Sequence, residues 1–424
     1  MNHQRRPPGE AMTNQPTGSK NSYLDSVTQA VEDLREELVR TSLDIHSHPE
    51  LNYEEYYAAA LLADSLERHG FRVERGIGGV ETAFRATLAG GGGDGPTVAL
   101  LAEYDALPDI GHGCGHNLIA ISNLGAGLGA KAAIGSLPGN LVVLGTPAEE
   151  GGGGKIRLLD AGIFEGVDAV LSSHPASNRT PIPTEIPMDE SWNLAMVGYR
   201  YAYHGKASHA AVAPQEGINA LNAVIHLFTG IDSLRQHLRD DVRMHGIITD
   251  GGKAANVVPD FAAANFMLRS RDREYLSQVV DKVRSVAEGA AKLTGARLEV
   301  LPAHPMYENV RPNSAISKSV LANATAIGMH VDVPPPGGGG SGASTDFGNV
   351  SQVVPSFALR FAVSETPVPG HSLAMTETSR TDLAHNGAID TAKALALTAC
   401  DLLSDPELLM AATEEFRARS GDRV

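Results

Sequence analysis

The sequence predicts an α/β protein carrying a smaller α+β insertion, and three observations lead there. Apolar runs at residues 97–102, 140–145 and 168–173 are continuous rather than alternating, the pattern of strands buried on both faces. Stretches with helical spacing, at residues 118–133 and 156–161, separate those runs. After residue 191 the character changes to a β-α-β-β-α-β-like unit of roughly a hundred residues, the size of a ferredoxin-like module inserted in a larger domain.

Taken in order, residues 1–20 are polar, rich in Pro, Gly and Asn, and read as a disordered tail. They lack the apolar stretch of a signal peptide, although Arg5 and Arg6 are present. Leu24, Val27, Ala30, Val31, Leu34 and Leu38 recur at helical spacing and predict an amphipathic helix over 23–39; a second helix is predicted over 54–69, ending at Gly70. The three buried strands follow. In the insertion, 194–204 alternates as a strand, and Ile218, Leu221, Val224, Ile225, Phe228, Ile231 and Leu234 form one helical face. Strand-like segments at 261–268 and 297–301 bracket a helix over 274–293. The expected division is therefore a main unit of 21–193 plus 305–424 and an insert of 194–304, closing with a helix over 383–403. A length of 424 residues suits two such units.

Composition narrows the function. The formal net charge is −16, with 34 basic residues against 50 acidic ones, which argues against a nucleic-acid partner and for a small molecule. No stretch approaches the roughly 18 apolar residues that span a bilayer. Two cysteines, Cys114 and Cys400, are too few for a disulfide framework and suit a reducing compartment, so a cytoplasmic location is expected. Cys400 lies in an apolar run and reads as a small buried hydrophobe.

Chemistry concentrates in a few segments. In Gly113-Cys114-Gly115-His116, a thiolate and an imidazole one residue apart can both face one metal ion, with flanking glycines permitting the tight path; a turn around a buried thiol is the plain alternative. Glu149 and Glu150 leave the second apolar run, next to four glycines. Paired acids there are costly to bury unless they bind metal or move a proton, and in extended chain they would point oppositely, one to the metal and one to the substrate. A solvated acidic pair is the alternative. His174 ends the third run, and His371 precedes the last helix. A lone His in such a place is usually structural, but four segments converging at strand ends form the expected location of a site.

These motifs, in this order with Asp105-Ala106-Leu107-Pro108, Ser173-His174-Pro175 and Gly205-Lys206-Ala207-Ser208-His209-Ala210, resemble the M20 metallopeptidases over nearly the whole chain. The branch is the amidohydrolase one, and residues 342–355 look closest to its aminobenzoyl-glutamate hydrolase and dipeptidase-like group. The resemblance implies a di-metal aminopeptidase-like catalytic domain with an inserted lid and dimerisation domain. It implies two divalent ions, zinc, manganese or cobalt, held by Cys114, His116, Glu150, His174 and His371. Glu149 would be the general base, and Asp105 would orient a ligating His. His209 would polarise the scissile carbonyl, often in the neighbouring subunit of a homodimer. Asn256 and Arg269 would bind substrate, with Arg271 a near competitor. His48 and Pro49 belong to the opening motif and read as structural; His112 sits beside the metal motif as a further candidate partner. Residue type alone does not separate binding from structure for Asn256, Arg269 and Arg271.

The expected activity is hydrolysis of an amide in a small substrate. Two rivals stand beside it: a hydrolase using Cys114 as nucleophile with His116 or His112 as base, and a binding or regulatory member of the same fold without turnover.

Overall fold

The computed structural model describes residues 23–187, 193–335 and 342–420, so the tail expected over 1–20 lies outside the described residues. The opening stretch forms two helices rather than one, α1 (Leu24–Asp33) and α2 (Arg35–Ser47). Leu34, at φ −93° and ψ 0°, interrupts the ladder, its N–H bonding back to Val31 O at 3.2 Å. Val27, Val31 and Leu38 are nevertheless all fully buried, because the apolar stripe continues across a tightened turn. Then come α3 (Tyr56–Arg68), β1 (Arg72–Arg75), β2 (Phe84–Ala89), β3 (Thr97–Ala102), α4 (His116–Ile134), β4 (Asn140–Gly145), α5 (Gly154–Asp160) and β5 (Ala169–Ala176).

The insertion contains β6 (Ala195–His204), α6 (Ala220–Arg235), β7 (Arg243–Asp250), β8 (Phe261–Ser270), α7 (Arg273–Thr294) and β9 (Arg297–Tyr307). Its sheet has the order β7-β8-β6-β9 and is antiparallel throughout. Tyr201, Tyr203, Val224, Leu227, Phe266 and Val283 build its separate core beneath α6 and α7. β7 fills the strand that the β-α-β-β-α-β pattern requires between α6 and β8, although the sequence predicted no residue range for it. It is an edge strand whose Ile247 and Ile248 are exposed, so it lacks the alternation that burial imposes. β9 runs on to Tyr307, six residues past its expected end; Pro302 and Pro305 fall where its pairing with β6 becomes irregular.

The chain closes with α8 (Ser314–Ala326), α9 (Phe347–Ser351), β10 (Ser356–Ala362), α10 (Leu373–Thr378), α11 (Asp382–Ser404) and α12 (Pro406–Ser420). The large sheet has the order β1-β2-β4-β3-β5-β10. β4, β3, β5 and β10 are parallel, while β2 and β1 add antiparallel at one edge. α4 is buried on nearly all sides, against β3, β4 and β5 on one side and α1, α2 and α11 on the other. The architecture is thus the predicted α/β sheet with an α+β insertion. Its parallel strands all deliver their carboxyl ends to one edge.

Candidate metal centre

That edge collects the acidic and imidazole side chains. Glu103 and Asp105 follow the end of β3, Glu149 and Glu150 follow β4, and His174 lies near the end of β5. α4 begins at His116, entered through Gly115 at φ 79°, where a Cβ would lie 2.9 Å from Pro175 Cγ. Glycine lets the helix start close against β5. His371, itself at φ 54°, is tied in by its N–H to Gly113 O at 2.8 Å.

The donor atoms meet in three overlapping groups, Cys114–His116–His174, Cys114–Glu150–His371 and His116–Glu149–Glu150, each with all its atoms within 4.8 Å of one another. Cys114 Sγ lies 3.5 Å from His174 Nε2, His371 Nε2 lies 3.3 Å from Glu150 Oε1, and His116 Nε2 lies 3.7 Å from Glu150 Oε1. Two of the rings are set by their other nitrogen: His116 Nδ1 donates to Asp105 Oδ1 at 2.9 Å, and His174 Nδ1 donates to Pro175 O at 2.7 Å. Each then turns Nε2 inward, the nitrogen whose lone pair a metal would take. His116 Nε2 is buried with no hydrogen-bond partner, and the donor spacings approach the edge, about 3.3 Å, of a tetrahedron built on bonds of about 2.0–2.1 Å. Thiolate, imidazole and carboxylate together suit borderline divalent ions, so the residues fit a pair of them.

The two acids do not sit in extended chain. They occupy a turn after Ala148 at φ 60°, and both carboxylates approach His116 Nε2, Glu149 Oε2 at 4.0 Å and Glu150 Oε1 at 3.7 Å. Strand alternation therefore does not give them opposite directions; what separates them is environment. Burial and the charges of Glu150, Glu103 and Asp346 push the Glu149 carboxyl well above the usual range. Burial also opposes ionisation of Glu150, but His371 and His116 beside it outweigh that and hold it low. The loop they occupy is pinned by side chains. Glu55 accepts from Ala148 N at 2.8 Å, Asp105 Oδ2 from Glu150 N at 2.8 Å, Asn52 donates to Glu150 O at 2.9 Å and Tyr53 to Gly152 O at 2.6 Å. Gly154 closes it, since a Cβ there would lie 1.8 Å from Pro147 O.

Beneath the centre lies a buried ion network. Lys155 Nζ is 2.8 Å from Glu103 Oε1 and 2.6 Å from Asp346 Oδ1, with all three side chains at most 5% exposed. Burial disfavours the ammonium, yet Asp346 and Glu103 hold its pKa above the usual lysine value. Glu103 Oε2 faces His116 Nε2 at 3.8 Å. Above the centre opens a cavity of about 640 Å³ lined by Glu103, Cys114, Glu149, Glu150, His174 and His371, with Met196, Met267, Phe347 and Met375 among its apolar walls.

Comparison with known proteins decides the family. Residues 195–294 match the model of the peptidase dimerisation domain of M20 proteins. The chain is 36% identical to the mouse Xaa-Arg dipeptidase, covering 92% of this chain and 91% of that one. The chain belongs to the M20 peptidase family. It is also 30% identical to one of the subunits of the Escherichia coli p-aminobenzoyl-glutamate hydrolase, over 92% of this chain and 94% of that one. Among solved structures, a putative aminohydrolase from methicillin-resistant Staphylococcus aureus superposes with a TM-score of 0.75 at 19% identity, covering 90% and 100% of the two chains. A dinuclear metal-binding M20 peptidase of Bacillus subtilis does so at 0.68 and 20%, covering 88% and 99%. The protein is therefore an M20-type metal-dependent peptidase or amidohydrolase.

Within this M20 chain the remaining candidates divide. Arg269 reaches the cavity and donates from Nη1 to Ser344 Oγ at 3.1 Å. His209 and Asn256 do not: both are exposed on neighbouring loops of the insertion, where His209 Nδ1 accepts from Ala211 N and Val212 N, each at 3.2 Å. Arg271 is also exposed, its N–H bonded to Asp241. His112 is buried, its Nε2 3.1 Å from Ile45 O, and burial lowers its pKa to about 3. His48 is exposed and stacks on Tyr57. Sequence reading missed Glu103, Lys155, Asp346 and Tyr307. Glu103 carried a usable signal, since it leaves an apolar strand just as Glu149 does; Lys155 and Asp346 are far apart in sequence and meet only in the fold. No helix of the described residues is long and apolar enough to cross a membrane.

Proposed function

We propose that this protein hydrolyses the amide bond of a small substrate bearing a free carboxylate, in the cytoplasm and as a homodimer. The observation that carries the reading is the convergence of Cys114, His116, Glu150, His174 and His371, four of which, all but His116, line a cavity that Arg269 also lines. The five donors would hold two divalent ions, of zinc, manganese or cobalt. When bound, these ions supply Lewis acidity that makes water nucleophilic near neutral pH and polarises the amide carbonyl.

The chain's own residues do the rest. Arg269, partly buried so that its pKa is lowered, would hold the substrate carboxylate through charge-assisted hydrogen bonds. Glu149, whose raised pKa makes its carboxylate a stronger base, would in its ionised form take a proton from the attacking water and return it to the leaving amine. Asp105 fixes the ring of His116. His209, exposed in one chain, would act on the carbonyl in a second copy, and the M20 dimerisation domain supports that arrangement. Asn256, on the adjoining loop, would contact the same substrate.

The test is a panel of p-aminobenzoyl-glutamate, dipeptides ending in Arg and N-acetyl-amino acids, with metal analysis of the purified protein. Two ions per chain are expected, with turnover lost to chelators and restored by zinc, manganese or cobalt. Activity that survives chelation and dies on alkylation would instead make Cys114 the nucleophile. Burial and the charge of Glu150 push that thiol's pKa up, against the requirement of such a nucleophile. Arg269→Ala is expected to raise KM by about 10- to 100-fold with kcat little changed, from the 1.5–3 kcal/mol of a charged hydrogen bond. An unchanged KM in steady-state assays would remove Arg269 from the carboxylate site.

A further inference from the structure

We propose that Tyr307, the last residue of the insertion's β9, is a positioning residue that ties Glu149 to the insertion. The proposal rests on reading Glu149 as the proton carrier. Tyr307 is buried, and its hydroxyl donates to Glu149 O at 2.6 Å while accepting from Gly153 N at 2.9 Å and Gly151 N at 3.2 Å. One donor and two lone pairs are the whole capacity of a phenol, so all of it is spent on the loop of the two acids. The other side chains pinning that loop, from Asn52, Tyr53, Glu55 and Asp105, belong to the large unit and bond to Ala148, Glu150 and Gly152. Among the described residues, the side chain bonded to the backbone of Glu149 itself comes from the insertion.

The position of Tyr307 gives that bond its consequence. Tyr307 pairs with Met196 of β6, where the insertion's first and last strands meet, and its ring packs on His304 at 4.6 Å between centroids. Met196, His304 and Tyr307 all line the cavity, and Arg269 reaches it from β8 of the same sheet. A substrate carboxylate gripped by Arg269 thus pulls on the sheet whose final residue holds the base. Substrate binding and base placement are mechanically joined through one hydroxyl, and a small misplacement of a proton carrier is enough to cost catalysis.

Tyr307→Phe removes only that hydroxyl, and Glu149 O keeps its bond from Gly151 N at 2.7 Å, so folding is preserved. Tyr53→Phe is the matched control, since it removes a hydroxyl from the same loop on the large unit's side. With the fastest amide of the panel, Tyr307→Phe is expected to lower kcat by about 10- to 100-fold while KM changes less than about threefold and both ions are retained. Amide exchange at Gly153, whose N–H bonds the Tyr307 hydroxyl at 2.9 Å, should quicken. Tyr53→Phe should keep kcat within about threefold of the parent. An unchanged kcat or unchanged exchange in Tyr307→Phe, or an equal loss in Tyr53→Phe, overturns the inference alone. A parent protein that hydrolyses nothing in the panel overturns the proposed function first.

Discussion

Glu149→Gln is expected to lower kcat by about 10²- to 10⁴-fold, the range for removing a positioned general base, while the protein keeps two ions per chain. The pairing of these two readouts matters because distance alone does not assign the acids. Glu149 Oε2 and Glu150 Oε1 are 4.0 Å and 3.7 Å from the same His116 nitrogen. Their electrostatics differ: Glu150 is held ionised by His371 and His116, the state of a ligand, and Glu149 is driven toward the protonated state by burial and three neighbouring carboxylates. Glutamine keeps the size of the side chain and removes its capacity to take a proton. Loss of an ion in Glu149→Gln would make Glu149 a ligand, and turnover near the parent level would end its role as proton carrier. Metal analysis and steady-state kinetics on one preparation decide between these.

Lys155→Met is expected to destabilise the protein by about 3–5 kcal/mol, the cost of leaving one side of a buried ion pair uncompensated. The ammonium serves both Glu103 and Asp346, and none of the three has water to fall back on. Burial already pushes the Asp346 carboxyl up to about 6 even with the lysine present. Removing the cation would leave two carboxylates facing each other below a site that already contains Glu149, Glu150 and Asp105. The double replacement Lys155→Met with Asp346→Asn removes one charge of each sign and should recover part of the loss. Urea denaturation of the parent, single and double variants measures this, and a single variant as stable as the parent would show that the network does not support the fold.

Much of the centre was legible in the chain because its signals are local. Cys114 and His116 are separated by one glycine, Glu149 and Glu150 are adjacent, and His174 ends an apolar run; each is a short pattern whose chemistry survives without coordinates. The strands at 97–102 and 140–145 coincide with β3 and β4, since burial on both faces leaves an unbroken apolar run. Elements stabilised by partners rather than by their own pattern were not legible. The bounds of β7, an exposed edge, carried no pattern, and β1 consists of Arg72, Val73, Glu74 and Arg75 held against β2 and α3. The break at Leu34 was hidden because a stripe of apolar residues continues through it.

By itself, the sequence determined the α/β class with its insertion and the order of the candidate donor residues, which follow from hydrophobic patterning and short-range spacing. Only the tertiary structure decided which side chains share a volume. It brought Lys155 and Glu103 together with Asp346, 191 residues away from that lysine, joined Tyr307 to Glu149 across 158 positions, and left His209 and Asn256 exposed on loops of the insertion. Such meetings depend on how two packed units are oriented, and a charge or hydroxyl buried between distant segments leaves no periodic mark on either one.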